Sequence, residues 1–194
     1  TAEEILYLLG VLLHPENSEM PFPLVLTGAA HTEEYFKQID HFIGETLGKE
    51  AQRRYTIIIN DPEQVAITMR EGITAVREYR KQHGDAYYFN WKLKIDEEFQ
   101  RPFDPTHENM ANLQLYKHQE THLLAANLRR AFSGIVAGNV KDYGIQQIRK
   151  HGPFQLRGDQ DIAQAMDKLL RDFVAQGRMK LGGKTYSPCY EIKS

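Results

Sequence analysis

Two short, almost wholly apolar runs constrain this chain more than any other feature: Leu24-Val25-Leu26-Thr27-Gly28 and Tyr55 to Ile59. A run of about five apolar residues that ends in a turn residue, with no polar alternation, fits a strand buried on both faces of a parallel sheet. Between them, Phe36, Ile39, Ile43 and Leu47 fall on one helical face of the stretch His31 to Leu47. After the second run, Asn60-Asp61-Pro62 hands over to a helix with proline in its first turn. Its apolar stripe is Val65, Met69, Ile73 and Val76, and it ends near His83-Gly84. With an apolar helix ahead of them, residues 1–83 read helix, strand, helix, strand, helix. This is the rhythm of a doubly wound α/β domain, in its second half, with the first strands absent.

The leading helix, Thr1 to Leu13, is apolar on nearly every face, through Ile5, Leu6, Leu8, Leu9, Val11 and Leu12. Such a helix is buried on nearly every face. Its start, Thr1-Ala2-Glu3-Glu4, has the form of a capping box, in which a hydroxyl and a carboxylate satisfy backbone N–H groups that the helix leaves unpaired. The same start carries partial positive charge and suits a phosphate. Spacing alone leaves both readings of Glu4 open, a cap and a catalytic carboxylate.

From Asp85 the character changes. Tyr87-Tyr88-Phe89-Asn90-Trp91 groups aromatics around an amide, and Arg101-Pro102-Phe103-Asp104-Pro105 opens a loop running to Asn112. Helical spacing returns at Leu123, Leu124, Leu128 and Phe132, and again at Val140, Ile145 and Ile148. A last amphipathic helix follows Asp159, an expected N-cap, through Ile162, Met166, Leu169, Leu170 and Phe173. Gly182-Gly183 turns the chain into a terminal extended segment, Tyr186 to Ile192. The expected organisation is therefore α/β in residues 1–83 and a mainly helical second domain in residues 84–194 that does not repeat the α/β rhythm.

Charge and cysteine content narrow the function classes. A net charge of −2 leaves no basic footprint for nucleic acid or an anionic membrane surface. The single cysteine, Cys189, excludes an internal disulfide and a cysteine-based zinc cluster, which suits a reducing cytoplasm. The longest apolar run, Ile5 to Leu13, is far short of the ~20 residues of a membrane span.

Other groupings have two readings each. Arg77, Arg80 and Lys81 share a helical face, with Arg70 two turns earlier, as a polyphosphate contact or a solvated face. His118-x-x-x-His122 places two imidazoles a turn apart, but Gln119 stands where a zinc protease needs glutamate and no third ligand is identifiable, so both read as surface histidines. The aromatic cluster at 87–91 and the amides Asn109 and Asn112 fit a nucleobase, a core or an inter-subunit contact. Gly134-x-x-x-Gly138 reads as close helix packing.

Thr1-Ala2-Glu3-Glu4 resembles the end of the Pro-Gly-Gly-x-Gly-Thr-x-x-Glu motif of the "lonely guy" family of phosphoribohydrolases. Phe89-Asn90-Trp91, His107 to Asn112, Ser133 to Lys141 and Pro188-Cys189-Tyr190-Glu191-Ile192 resemble its long bacterial branch, the pyrimidine/purine nucleotide 5′-monophosphate nucleosidases. The resemblance covers essentially the whole chain and implies a longer protein, with a Rossmann-like domain whose front precedes Thr1.

It also implies hydrolysis of the N-glycosidic bond of nucleoside 5′-monophosphates to a free base and ribose 5-phosphate, with no cofactor and no metal. Positive charge builds on the sugar as the bond breaks, and a carboxylate beside the anomeric carbon stabilises it and directs water. The resemblance assigns that role to Glu4, with Glu3 either on the sugar hydroxyls or a solvated first-turn acid, and Thr1 on the 5′-phosphate. It further implies a homo-oligomer, a tetramer or dimer, and a guanosine tetra- or pentaphosphate effector, for which Arg80 and Lys81 are the first expected contacts and Arg77 their neighbour. A chain beginning at Thr1 is expected to be inactive alone. The rivals are a non-catalytic nucleotide or alarmone sensor, and a cytokinin riboside 5′-monophosphate phosphoribohydrolase that differs only in the base.

Overall fold

Both apolar runs become strands. The computed structural model describes residues 2–85, 92–179, 181 and 186–193. In it β1 (Val25–Gly28) and β2 (Thr56–Ile59) pair in parallel, with Val25 opposite Thr56 and Gly28 opposite Ile59. Thr1, the aromatic cluster at 87–91 and Gly182-Gly183 lie outside the described residues.

Local chemistry accounts for the connecting helices. The first, α1 (Ala2–Leu12), buries Ile5, Leu6, Leu9, Val11 and Leu12, as its all-round apolar character requires. A single 3₁₀ turn at Ala30–Thr32 leads into α2 (Glu33–Thr46), which buries Tyr35, Phe36, Ile39, Phe42 and Ile43 at three- and four-residue spacing. The short α3 (Lys49–Gln52) precedes β2. Asp61 caps α4 (Pro62–Gln82), its carboxylate accepting the Gln64 N–H at 2.9 Å, and Pro62 opens the first turn without losing a needed donor. Of the stripe expected on α4, Val76 is buried while Val65, Met69 and Ile73 are only half-covered.

The second half is mainly helical, but it also contains a parallel sheet. It runs α5 (His107–Ala111), β3 (Gln114–Leu115), α6 (Thr121–Val140), α7 (Asp142–His151), β4 (Phe154–Gly158), α8 (Gln160–Ala175) and β5 (Tyr190–Lys193). The strands are ordered β3-β4-β5, all parallel, with Gln114 opposite Arg157 and Phe154 opposite Tyr190. The expectation that the α/β rhythm stops at residue 83 is thereby corrected: α6 and α7 connect β3 to β4, and α8 connects β4 to β5. The loop expected from Arg101 to Asn112 likewise contains α5, nucleated where the Thr106 hydroxyl accepts the Asn109 N–H at 3.1 Å. Asp159 does precede α8, but its carboxylate accepts the backbone N–H of Lys117 at 2.8 Å and no side-chain cap bond to the helix forms.

One hydrophobic core crosses both halves. Helix α1 lies along α6, and α2 lies against α8. The Phe42 and Phe132 rings meet edge to face at 5.5 Å, and Tyr35 meets Phe173 at 5.2 Å. Leu9, Leu128 and Ile135 are fully enclosed, each contributing about 1.5–3 kcal/mol of transfer free energy. Gly134 leaves room for the Met110 thioether, and a Cβ on Gly138 would lie 2.8 Å from Cys189 Sγ, so this pair does serve close packing. Burial pushes the Cys189 thiol up to about 11, which keeps it neutral and unreactive at physiological pH. Among the described residues, no helix is long and apolar enough to cross a membrane.

Candidate functional site

The start of α1 brings two carboxylates of unlike environment to one helix turn. Glu3 is half-buried, and its Oε1 lies 3.5 Å from Nε of Arg129, which α6 supplies. Glu4 is exposed on the adjoining face. The Arg129 guanidinium also stands 5.6 Å from the centre of the Tyr7 ring, one turn further along α1, and its Nε has no well-aligned hydrogen-bond acceptor. Glu3 is thus tied to the second half of the chain by charge. Thr1, expected to hold a phosphate, lies outside the described residues.

Beside this helix start opens a cleft of about 540 Å³, with Ala2, Glu3, Tyr35, Phe132, Phe173 and Arg178 among its walls. Arg178 lies 3.8 Å above the Tyr35 ring, close enough for a cation–π contact, and donates from Nε to Gln176 Oε1 at 3.1 Å. Apolar and aromatic walls with one carboxylate and one guanidinium suit a flat, partly polar ligand of nucleobase size. Among the residues expected at the site, the structure brings Glu3 to this cleft and leaves Glu4 on the outer side of the same turn. Arg129 and Arg178 were not foreseen. Neither stands in a pattern that the sequence marks, since each gains its position only when α6 and the segment after α8 fold back on α1 and α2.

The basic face of α4 is divided by burial. Arg77 and Lys81 are exposed. Arg80 is only 3% exposed and holds Asp85 through Nε at 2.9 Å and Nη2 at 2.5 Å, while its Nη1 is buried without a hydrogen-bond partner among the described residues. Arg80 lines a groove of about 380 Å³ with Asn17, Tyr79, His83, Lys92 and Lys94.

The two histidines read as a surface pair have different fates. His118 is exposed, whereas His122 is buried, its ring packed edge-on to His14 at 5.0 Å between centres. Burial lowers the His122 pKa below its ordinary value, outweighing the carboxylates of Glu120 and Asp96.

Comparison with known proteins defines the class. Residues 73–193 match the family described as pyrimidine/purine nucleotide monophosphate nucleosidase, C-terminal, and the chain belongs to that family. Over 192 residues, 99% of this chain, it is 54% identical to the pyrimidine/purine nucleotide 5′-monophosphate nucleosidase of Escherichia coli strain K12, and to the proteins of that name in strains O6:H1 and O157:H7. The chain spans 42% of the length of these relatives.

Proposed function

We propose that this chain is the part of a nucleosidase that carries the catalytic helix, and that the whole protein hydrolyses purine and pyrimidine nucleoside 5′-monophosphates to a free base and ribose 5-phosphate. The 54% identity with proteins named for this activity, over almost the entire chain, is the observation that carries the reading. In this reading the chain also belongs to the "lonely guy" phosphoribohydrolases, with residues 1–83 as the end of the reacting domain and 84–194 as an assembly or regulatory domain.

The chemistry follows from the charge that develops. As the glycosidic bond lengthens, the electron pair leaves with the base and the ribose ring becomes oxocarbenium-like. Glu4 is the carboxylate that stabilises this charge and receives a proton from the attacking water. Glu3, beside Arg129, orients the sugar hydroxyls, and Thr1 with the helix N-terminus binds the 5′-phosphate. Apolar and aromatic side chains of the neighbouring cleft would receive the base.

The test is Glu4→Ala in the full-length protein. Ribose 5-phosphate release should fall by roughly 100- to 1,000-fold with the fold retained by circular dichroism. Undiminished turnover would remove Glu4 from the mechanism, and a parent protein without turnover on any nucleoside monophosphate would favour the sensor. Competition between cytokinin ribotides and ordinary monophosphates separates the remaining reading, which shares the chemistry.

Regulation, assembly and location belong to the same proposal: a cytoplasmic homo-oligomer, dimer or tetramer, read by guanosine tetra- or pentaphosphate through Arg77, Arg80 and Lys81. The Nη1 of Arg80, buried without a partner among the described residues and beside Lys92 and Lys94, supports an anion at this groove. Reversing the exposed charges Arg77 and Lys81 to glutamate should weaken guanosine tetraphosphate binding, and an unchanged titration would sink this part alone.

A further inference from the structure

The far end of α1 gathers a second group of chemically capable side chains. His14, just beyond the helix, Asp96, in the segment leading to the 3₁₀ turn Glu97–Phe99, and His122, in the first turn of α6, each present one ligand atom, all within 4.8 Å of one another. The three come from parts of the sequence more than a hundred residues apart at the extremes, and neither the nucleotide chemistry nor the groove of Arg80 uses them. At about 1.5 Å per residue, α1 separates this cluster from Glu3 and Glu4 by roughly 15 Å.

The structure assigns to His14, Asp96 and His122 a binding site for a borderline divalent transition cation, Zn²⁺ foremost, that clasps the end of α1 to α6 and to the segment before Phe99. Two imidazoles and one carboxylate are the donor set such ions take, with water completing a tetrahedron.

Three features of the surroundings prepare the donors. His14 Nε2 and Asp96 Oδ2 are 3.7 Å apart, too far for a hydrogen bond, so they converge without satisfying each other. Glu120 Oε2 lies 3.2 Å from Nδ1 of His122, so a carboxylate flanks one ring nitrogen, the kind of neighbour that supports metal-bound imidazoles. Buried Asn17 then locks the third segment in place. Its amide N–H groups donate to the carbonyls of Val11 at 2.7 Å and Lys94 at 2.8 Å, and its Oδ1 accepts the Lys94 N–H at 2.7 Å. Asp96, two residues on, is thereby held over His14.

Loading has two definite costs. Metal–donor bonds of about 2.0–2.1 Å place tetrahedral donors roughly 3.3 Å apart, so donors that now lie up to 4.8 Å apart must draw closer. His14 Nδ1 now accepts the N–H of Glu16 at 3.2 Å. Coordination through Nε2 moves the ring proton to Nδ1, and the exposed Glu16 N–H turns to water. The C-terminal dipole of α1 favours a cation here and offsets part of this.

The experiment uses the full-length protein, stripped with a chelator and titrated with Zn²⁺ by calorimetry and with Co²⁺ by visible absorption. One ion per chain should bind, Co²⁺ should show the intense bands of a four-coordinate site, and Zn²⁺ should raise the melting temperature. Asp96→Asn and His14→Gln, both at positions that are not fully buried, should each weaken binding at least tenfold and abolish the thermal shift. His118→Ala, four residues from His122 but exposed, should change neither. Absence of stoichiometric uptake, or uptake that either ligand variant leaves intact, would overturn the assignment.

Discussion

Leu156, at the centre of the second sheet, is wholly enclosed, while Ile57 and Ile59 in the first sheet are only partly covered. Both sheets are parallel and made of short strands, yet β4 lies between two strands and buries Phe154, Leu156 and Gly158, whereas β1 and β2 bury one residue each, Leu26 and Ile58. The helix beside β1, α4, buries only Val76 and Arg80. The first sheet is therefore the less covered of the two, although α1 and α2, in the same half, enclose Leu9, Ile39 and Ile43 almost completely.

Three measurements test this contrast. The largest effect is expected from Leu156→Ala, which opens a cavity at a fully enclosed site and should cost about 2–5 kcal/mol in urea unfolding. A loss below 1 kcal/mol would show that the second sheet is not the anchor. Next is alkaline pH. Because the Cys189 thiol is raised from 9.0 to about 11 in the folded state, its contribution is complete below pH 9 and is lost as pH rises through about 11. That is about 2–3 kcal/mol at two pH units. The slope of stability against pH in this window should shrink in Cys189→Ala. Tyr55, beside the first sheet, is buried and hydrogen-bonded to Asp40 at 2.5 Å, so its phenol is raised still further and titrates later. The smallest effect is expected from Ile57→Val, about 0.5 kcal/mol, because a half-covered methyl leaves little cavity. A cost as large as that of Leu156→Ala would erase the difference between the sheets.

The same contrast explains what the sequence disclosed. Strands β1 and β2 were legible because Leu24 to Gly28 and Tyr55 to Ile59 are continuous apolar runs, and α4 because Asp61-Pro62 announces its start. Strand β4 was not, since Phe154 and Leu156 alternate with Gln155 and Arg157 in only five residues, and β3 has just two residues to show. The helix start with Glu3 and Glu4 was legible as a motif. Arg129 was not, because it reaches Glu3 from a helix more than a hundred residues later. His122 was misread as a surface residue because its spacing with His118 is visible, while its burial against His14 exists only in three dimensions.

The packing of α1 against α6 has a consequence for synthesis. Helix α1 ends at Leu12 and α6 begins at Thr121. At 5–20 residues per second, the partner surface emerges roughly 5 to 20 seconds after the helix it covers. During that interval an almost wholly apolar helix is on the nascent chain without its companion, a natural client for a ribosome-associated chaperone.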